Sequence, residues 1–493
     1  MKTNEFLAGL GTMSILLSPG CTPDNRKDLP NIVFILADDL GYGDLSCLNP
    51  ASRIRTRVMD QIAGEGMIFT NAHSPSAVCS PTRYGILTGE YCFRTSLKSG
   101  VLGGYSPGLI DSRKTTVAEL LKSAGYQTVC IGKWHLGLDW IRRDTLLPLI
   151  PRDTWSRPIT SNVDYSAPIQ GGPANHGFDY SFIIPASLDI VPYCYIRNRK
   201  SIAPVEDTIT GNDNPRGVYW RPGDIQEGFS LETTLNTLTT EVTNFIRSDS
   251  ATKKPFFLYF PLTAPHTPWL PSKEFQGKSG AGTYGDFVLQ VDDCIGKVMA
   301  ALKEQNLNKN TIVIITSDNG SNWTPEDIGK WSHKANGVFR GQKSDVWDGG
   351  HHIPFLVRWP EKIKTGRTSD QLICLTDLFA TCTELTGYTR TPGDGPDSFS
   401  FLPVLLDKKP KSPMRVSAVH HSISGMFAIT SGKWKLIDGR GSGGWSAPPN
   451  LNDPAVQLYD VNADPGETTN LFDKNPDMVR KLLQQLDNIR KER

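Results

Sequence analysis

The chain has 493 residues, of which 38% are hydrophobic and 21% are charged, which is typical of a globular protein with one large core and a smaller second one. Its 52 Lys and Arg residues balance its 51 Asp and Glu residues, and no long run of one sign occurs, so nucleic acid is not expected as a partner. The nine cysteines include no CxxC pair, which argues against a zinc ribbon or a redox motif.

The first segment of the chain has the pattern of an export signal. After Lys2 comes the apolar stretch FLAGLGTMSILL, followed by SPGC, which ends at Cys21. Residues 1–22 are interpreted as a bacterial export segment with a lipid anchor at Cys21, which predicts a periplasmic protein or an outer-membrane lipoprotein. A frayed terminus is the alternative, because Glu5 lies where a cationic segment is expected. No later apolar run has the ~18 residues that span a bilayer, so no transmembrane helix is expected.

Strand and helix patterns alternate along most of the chain. The stretch NIVFILA (31–37) is a continuous apolar run typical of a buried strand. Thr116 and Glu119 form a capping box that begins a helix, and the strand YQTVCIG follows it. Further along come the strand KPFFLYF, an amphipathic helix over 284–304 and the strand TIVIIT. We predict an α/β domain over 30–408, with a large, mostly parallel or mixed sheet sandwiched by helices.

Two regions depart from this alternation. Residues 139–228 are rich in Pro, Gly, Asp and Asn, which predicts long loops over the sheet. After about residue 410 the segments become shorter, with MFAITSG and KWKLID followed by the polar helix PDMVRKLLQQLDNIRKER. This pattern predicts a C-terminal α+β subdomain over 409–493, with a small antiparallel sheet and one packing helix.

Polar side chains follow the strands of the first domain, at the point where each strand ends. Because the carboxyl ends of parallel strands lie at one edge of a sheet, these side chains are expected to converge on one crevice. Carboxylate and amide oxygens suit Ca²⁺ or Mg²⁺ rather than zinc, and lysines and histidines beside such a cation suit an anionic substrate. The residues concerned are Asp38, Asp39, Lys133, His135, His266, Asp318 and Asn319.

The stretch CSPTRYGILTG begins at Cys79 and has the features of a helix start. Pro81 belongs to the first turn of a helix, so Cys79 lies near the helix N-terminus, where free N–H groups and the helix dipole favour an anion. Arg83, four residues further on, lies on the same face. A thiolate nucleophile is the simplest interpretation of Cys79, although C-x-P-x-R matches no familiar thiol protease or phosphatase pattern.

This stretch resembles the C-x-P-x-R and LTG signature of the type I sulfatases, the formylglycine-dependent branch of the alkaline phosphatase superfamily. Further segments resemble the family in order over residues 30–410, namely NIVFILADDLGYGD, GKWHLG, PHTP, SDNG and GGHHIPFLVRWP. QLYDVNADPGETTNL resembles the usual C-terminal ending. A single short motif arises by chance, whereas ordered companions do not. The chain is identified as a member of this family, similar to its arylsulfatase A and N-acetylgalactosamine-6-sulfatase subgroup.

The resemblance implies a modified nucleophile and a bound cation. Cys79 would be oxidised by a formylglycine-generating maturase to formylglycine, whose hydrate attacks sulfur with one oxygen and expels sulfate with the other. Ca²⁺ is the implied ion, with Mg²⁺ as the less favoured alternative. Its implied ligands are Asp38, Asp39, Asp318, Asn319 and the modified Cys79.

The resemblance also implies roles for the surrounding polar residues. Arg83 and His135 would orient and activate the hydrate. Lys133 and Lys343 would neutralise sulfate oxygens, a form of electrostatic stabilisation. His266 would protonate the departing oxygen of the substrate.

Two further residues are candidates for substrate binding. Ser187, in PASLDIVPY, lies where the family often has a serine that contacts sulfate. Many relatives carry Arg two residues after a Gly-Gly pair, whereas this chain has His352 there. Because an imidazole lacks the fixed bidentate fork of a guanidinium, His352 is expected either to contact a sugar hydroxyl or only to pack.

Each of the polar residues also has a structural interpretation when it is taken alone. Asp38 and Asp39 suit a turn, and the segment 318–320 suits a hairpin turn. His135 suits a hydrogen-bonded core position, and Lys343 suits a solvated surface. Only the ordered motifs favour the functional interpretation.

The sequence therefore predicts a sulfatase that hydrolyses sulfate esters, with a sulfated carbohydrate as substrate. The long loops over 139–228 favour a deep pocket and exo action on a terminal sugar, with galactose or N-acetylgalactosamine sulfate as the first expectation. One alternative is a phosphate or phosphonate ester hydrolase of the same fold. The other is an inactive, glycan-binding protein of the same family.

Overall fold

A computed structural model describes residues 29–150, 160–411, 413–446 and 448–491. The predicted export segment and Cys21 lie outside the described residues. Among the described residues, no helix has both the length and the apolar character needed to cross a bilayer. The eight cysteines of the described residues are free thiols.

The described residues contain strands and helices in alternating order. The strands are β1 (Asn31–Asp38), β2 (Met67–Phe69), β3 (Ala72–His73), β4 (Gln127–Lys133), β5 (Tyr180–Ile184), β6 (Ile196–Arg197), β7 (Lys200–Ser201), β8 (Asp207–Ile209), β9 (Gly223–Ile225), β10 (Phe256–Pro265), β11 (Thr311–Ser317), β12 (Phe355–Arg358), β13 (Arg367–Ser369), β14 (Ile373–Cys374), β15 (Ser417–His421), β16 (Phe427–Ser431), β17 (Trp434–Asp438) and β18 (Gln457–Asp460). The α-helices are α1 (Arg57–Glu65), α2 (Cys79–Thr88), α3 (Val117–Ser123), α4 (Thr234–Arg247), α5 (Asp249–Lys253), α6 (Gly282–Glu304), α7 (Pro325–Trp331), α8 (Asp348–His351), α9 (Leu378–Thr386), α10 (Leu402–Leu405) and α11 (Pro476–Lys491).

The main sheet has ten strands in the order β13-β2-β12-β11-β1-β10-β4-β5-β6-β7. Its centre is parallel, because β1 pairs in parallel with β10 and β11, and β10 pairs in parallel with β4. Beyond β11 the sheet is mixed, since β12 runs antiparallel to both β11 and β2, whereas β13 is parallel to β2. Every residue of β1 and β10 is buried, which explains their continuous apolar sequences. The predicted fold class, a large mixed sheet between helices with a smaller antiparallel sheet, is confirmed.

The helices pack in two groups against this sheet. One group contains α1, α4 and α6, and the other contains α2, α3 and α9. The predicted capping box of α3 is present, because the Glu119 N–H donates to Thr116 Oγ1 at 3.1 Å and the Thr116 N–H donates to Glu119 Oε2 at 2.8 Å. The start of α3 that the sequence predicts is therefore confirmed.

The prediction of long loops over 139–228 is wrong for part of that region. The strand β5 extends the main sheet in parallel with β4, and β6 and β7 continue the same edge. The strands are short, and the surrounding Pro and Gly residues obscure their pattern. A short apolar run becomes a strand here because β4 offers it an unpaired edge.

The C-terminal region forms its own antiparallel sheet, β15-β16-β17-β18, covered by α11. Its small core contains Val419, Leu436 and Leu458 from the sheet and Leu482 and Leu486 from the helix. The domain boundary at residue 409 stays a prediction, since the first strand of this sheet begins only at Ser417.

A buried ion pair ties this region to the main domain. Arg415, just before β15, donates to the two carboxylate oxygens of Asp377 at 2.6 and 2.8 Å. Burial opposes the charge on Arg415, but the neighbouring Asp377 holds its pKa well above the ordinary value. Both side chains are almost fully buried, so neither charge has water as a substitute partner.

Removal of one partner from this pair is expected to be strongly destabilising. Asp377→Ala leaves Arg415 buried without a counter-charge, and the free energy of unfolding should fall by about 3–5 kcal/mol. Asp111→Ala breaks the exposed pair with Arg113 and serves as the control, with an unchanged unfolding midpoint expected. Urea unfolding measures both variants, and an equal effect in the two would contradict the prediction.

Candidate active site

The polar side chains that follow the strands lie together at one edge of the main sheet. Asp38 ends β1 and Lys133 ends β4, while Asp39, His266 and Asp318 directly follow β1, β10 and β11. All five residues are buried. Because the central strands are parallel, their carboxyl ends meet at this edge, and the structure brings these residues together.

Arg83, on α2, joins two of these carboxylates. Its Nε and Nη2 atoms donate to Asp318 Oδ2 at 3.1 and 2.7 Å, and Nη2 lies 3.6 Å from Asp38 Oδ1. Lys133 Nζ donates to Asp38 Oδ2 at 2.6 Å. Two cations and two carboxylates therefore form one continuous buried network, in which each charge has a partner of opposite sign.

Asp39 forms a second ion pair beside the first network. Lys343 Nζ donates to Asp39 Oδ2 at 2.8 Å, and the side-chain amide of Asn319 donates to Asp39 Oδ1 at 2.7 Å. His266 Nε2 lies 3.8 Å from Asp39 Oδ2. The φ angle of Asp39 is 67°, a left-handed conformation that Asp tolerates better than most residues. This turn directs the Asp39 carboxylate toward Lys343 at the end of β1.

The carboxylates of Asp38 and Asp318 have opposite pKa shifts. Burial raises the pKa of a carboxyl group, but for Asp38 the charges of Lys133, His266 and Arg83 outweigh burial and hold the pKa well below its ordinary value. For Asp318, burial and the neighbouring charge of Asp38 raise the pKa to about 7. A further cation at this edge would favour the ionised form of Asp318, because an opposite charge lowers a carboxyl pKa.

The oxygen donors at this edge fit a hard metal ion. Within the described ranges, Asp38 Oδ1 and Asn319 Oδ1 are buried and have no hydrogen-bond partner, which is unusual for buried polar atoms. Asp38, Asp39 and His266 each offer a ligand atom, and these atoms lie within 4.8 Å of one another. Carboxylate and amide oxygens are the ligands that Ca²⁺ and Mg²⁺ prefer.

Cys79 is the first residue of α2 and faces His135. Its Sγ atom lies 3.3 Å from His135 Nδ1, while His135 Nε2 lies 2.7 Å from the carbonyl oxygen of Leu102. Burial raises the pKa of the Cys79 thiol, although Lys133 and Lys343 oppose this shift. Burial lowers the pKa of His135 well below its ordinary value. Both groups are therefore neutral at pH 7, and the structure does not favour a thiolate at Cys79.

A cavity of about 260 Å³ lies against Cys79. Its wall includes His135, His266, Lys343 and Ser187. The hydroxyl of Ser187 has no hydrogen-bond partner in the part of the chain that the structure describes. Lys343 is buried in this wall, so the surface interpretation of that lysine is wrong. The hairpin interpretation of 318–320 is also wrong, because β11 is followed by the helix α7.

Among the further residues of the cavity wall that no sequence motif singled out are Asp189, Arg221 and Trp445. Asp189 Oδ2 accepts a hydrogen bond from Arg221 Nη1 at 2.7 Å, and Trp445 comes from the C-terminal region. Asp189 lies two residues after Ser187 in the stretch PASLDIVPY, so that stretch could have indicated Asp189 as a site residue. Arg221 and Trp445 lie in segments without a recognisable local motif, and only folding brings them to the cavity.

His352 lies in a different part of the structure. Its ring stacks on Phe339 with the centroids 3.9 Å apart, and its Nε2 atom lies 2.9 Å from the carbonyl oxygen of Thr70. It lines a separate cavity and not the one at Cys79. The structure shows the packing contacts of this residue, and its contact with a sugar hydroxyl stays a prediction. Three buried histidines with closely spaced ring nitrogens lie beside it, His73, His351 and His420.

The fold has an alkaline phosphatase-like architecture, and its charged, buried sheet edge is the candidate active site of a hydrolase. Residues 30–388 match the family model described as Sulfatase, and residues 339–492 match the model described as N-sulphoglucosamine sulphohydrolase, C-terminal. The chain belongs to the sulfatase family and is a sulfuric ester hydrolase. The family identification made from the motifs is confirmed.

Several known sulfatases are similar to this chain over nearly its whole length. An N-acetylgalactosamine-6-O-sulfatase of Bacteroides thetaiotaomicron is 34% identical, with 97% of each chain covered. Human arylsulfatase A is 30% identical over 93% of this chain and 87% of its own. A solved structure from work on glycosaminoglycan metabolism by Bacteroides thetaiotaomicron has a TM-score of 0.80 and 33% identity, covering 94% of this chain and 100% of the other.

The buried histidines predict a pH-dependent stability. Burial, and then the charge of Lys435, lowers the pKa of His420 from 6.5 to about 3. His420 therefore stays neutral in the folded protein, while in the unfolded chain it takes up a proton near pH 6.5. The free energy of unfolding should fall as the pH drops from about 6.5 toward 3.

The variant His420→Gln lacks the titrating group, so it lacks this pH-dependent part of the free energy of unfolding. Between pH 6 and 4, we expect the free energy of unfolding to depend less steeply on pH in the variant, by about 1 kcal/mol per pH unit. Urea unfolding at several pH values gives both slopes. Equal slopes for the two proteins would show that His420 does not carry this dependence.

Proposed function

We propose that this sulfatase removes sulfate from galactose or N-acetylgalactosamine at the ends of sulfated glycans. The observation that carries the proposal is the 260 Å³ cavity, which combines Cys79, His266 and Lys343 with the polar wall groups Asp189 and Arg221. This volume is near the lower limit of about 300 Å³ for small-ligand sites, so it suits one terminal sugar. Similarity to an N-acetylgalactosamine-6-O-sulfatase over 97% of the chain favours the 6-sulfate.

Cys79 is the source of the nucleophile in this proposal. A formylglycine-generating maturase oxidises its side chain to the aldehyde of formylglycine, whose hydrate supplies an oxygen nucleophile. The thiol itself is poorly suited to attack, because burial raises its pKa. His135 Nδ1 lies 3.3 Å from the Cys79 Sγ atom and is neutral, so it is placed to accept a proton from a hydroxyl at this position.

A Ca²⁺ ion is the cofactor that the donor set favours. When bound, such an ion supplies positive charge beside the sulfate oxygens. Mg²⁺ is less suitable, because it demands nearly ideal octahedral geometry and retains its waters. The proposed ligands are oxygen atoms of Asp38, Asp39, Asp318 and Asn319, together with the modified Cys79.

The cations of the chain itself also stabilise the sulfate group. Burial disfavours the charge on Lys343, but the carboxylate of Asp39 raises its pKa and keeps the ammonium group charged at the cavity wall. Lys343 is therefore placed to donate to sulfate oxygens. Lys133 donates to Asp38 and Arg83 donates to Asp318, which supports a role for both in holding the carboxylates as well as in charge neutralisation.

His266 is the proposed acid for the departing sugar oxygen. Its Nδ1 atom lies 2.7 Å from the carbonyl oxygen of Thr267, which can only accept, so Nδ1 carries a hydrogen. The mobile proton therefore belongs to Nε2, on the side of Asp39. The unpaired hydroxyl of Ser187 in the same wall is a proposed contact of the substrate.

We propose a location outside the cytoplasm on the pattern of the first residues. The apolar stretch before Cys21 supports export to the periplasm, with attachment to the outer membrane through a lipid on that cysteine. Sulfated glycans are large and charged, so an enzyme for them is useful outside the cytoplasm.

Modification of Cys79 is tested by mass spectrometry. In protein produced together with a formylglycine-generating maturase, the peptide that contains Cys79 should lose roughly 18 Da, while the peptide that contains Cys47 should keep its thiol mass. Cys79→Ala should lower kcat by at least about a thousandfold, since the nucleophile is removed. An unmodified Cys79 in protein from the native organism would instead indicate an inactive, glycan-binding member of the family.

Substrate class is tested with a panel of position-defined sulfated monosaccharides. We expect kcat/KM to be highest for N-acetylgalactosamine or galactose 6-sulfate, and to exceed that for the matching phosphate esters by at least about tenfold, because the site is adapted to a sulfate monoester. Preferential turnover of phosphate esters would support the alternative hydrolase. Activity confined to 4-nitrophenyl sulfate would contradict the proposal that the substrate is a sulfated glycan.

A further inference from the structure

The C-terminal region contributes a tryptophan to the wall of the catalytic cavity. Trp445 lies between β17 and β18 and lines the cavity together with Cys79 and Lys343. Its side chain is 50% exposed. Among the exposed large hydrophobic side chains of the described ranges, it is the only aromatic one. A half-exposed indole beside a polar cavity offers an apolar face to a ligand, and tryptophan is enriched at interfaces for this reason.

The loop that carries Trp445 is fixed to the main domain. The backbone N–H of Trp445 donates to Ser344 Oγ at 2.9 Å, and the backbone N–H of Ser446 donates to Asp345 Oδ1 at 3.2 Å. Ser344 and Asp345 directly follow Lys343 in the chain. The backbone that carries the indole is therefore held next to Lys343 before any ligand arrives, which reduces the conformational entropy lost on binding.

We infer that Trp445 is the stacking surface for the sugar ring that carries the sulfate, an inference that rests on the proposed function. Lys343 Nζ lies 5.9 Å from the centroid of the Trp445 ring, so a sulfate group held by Lys343 has its sugar within reach of the indole. The face of an indole is electron-rich, and the C–H groups on one face of a pyranose ring are apolar with a partial positive charge. The two surfaces are complementary.

The remaining wall groups suit the polar edge of the same sugar. Asp189 and Arg221 line the cavity and bond to each other, and between them they offer both acceptors and donors for ring hydroxyls. A sugar sulfate needs an anion site, an apolar platform and polar edge contacts. Inorganic sulfate needs only the anion site. Comparing the binding of inorganic sulfate with that of the sugar sulfate therefore separates the contribution of Trp445 from that of the catalytic edge.

The test compares Trp445→Ala and Trp445→Phe with the wild-type protein. For N-acetylgalactosamine 6-sulfate, Trp445→Ala should raise KM about tenfold, whereas Trp445→Phe, which keeps an aromatic face, should stay within about threefold. The Ki of inorganic sulfate should be unchanged in both variants. Leu451→Ala is the control, because Leu451 is 81% exposed in the same region and does not line the cavity.

An unchanged KM in Trp445→Ala would overturn the inference. The proposed function would still stand in that case, provided that the wild-type protein hydrolyses the sulfated sugar. An equal rise in the Ki of inorganic sulfate would also overturn it, because Trp445 would then only hold Lys343 in place. If the wild-type protein hydrolyses 4-nitrophenyl sulfate but no sulfated sugar, the glycan proposal and this inference both fail.

Discussion

Mutual compensation of buried charges at one edge of the main sheet is the constraint on which the rest of the site depends. An isolated charge removed from water costs several kcal/mol, so each charge at this edge is tolerated only because its partners are present. The network also ties α2 to the sheet edge, since Arg83 on that helix joins the carboxylates of Asp38 and Asp318. The three carboxylates are Asp38, Asp39 and Asp318, and the three cations are Arg83, Lys133 and Lys343.

Three carboxyl groups and three cations nearly balance at this edge before a metal ion is counted. A divalent cation in the same place would make the site positive and would attract an anionic ester, and it would also favour ionised Asp318. Cys79 and His135 remain neutral in this environment because burial dominates both of their pKa shifts. The charge at this edge is therefore concentrated in the network and not in a thiolate.

The C-terminal sheet has a part in this site as well as in packing. The ion pair between Arg415 and Asp377 holds the sheet against the main domain, and the loop with Trp445 reaches the cavity from the same region. The cavity at Cys79 is therefore composite. Its charged groups come from the strand ends of the main sheet, and part of its outer wall comes from a segment more than 350 residues after Cys79 in the chain.

The local patterns of the sequence were sufficient to predict the helix start at Cys79, the capping box at Thr116 and the buried strand β1. The rule that parallel strands end at a common edge was sufficient to group Asp38, Lys133, His266 and Asp318, because it depends only on strand direction. By contrast, β5 to β7 needed the edge of β4 as a partner, and Trp445, Arg221 and His352 have positions set by contacts with residues distant in sequence. Motifs report local backbone geometry and residue chemistry, whereas the wall of a cavity is decided by long-range packing that no short stretch of sequence contains.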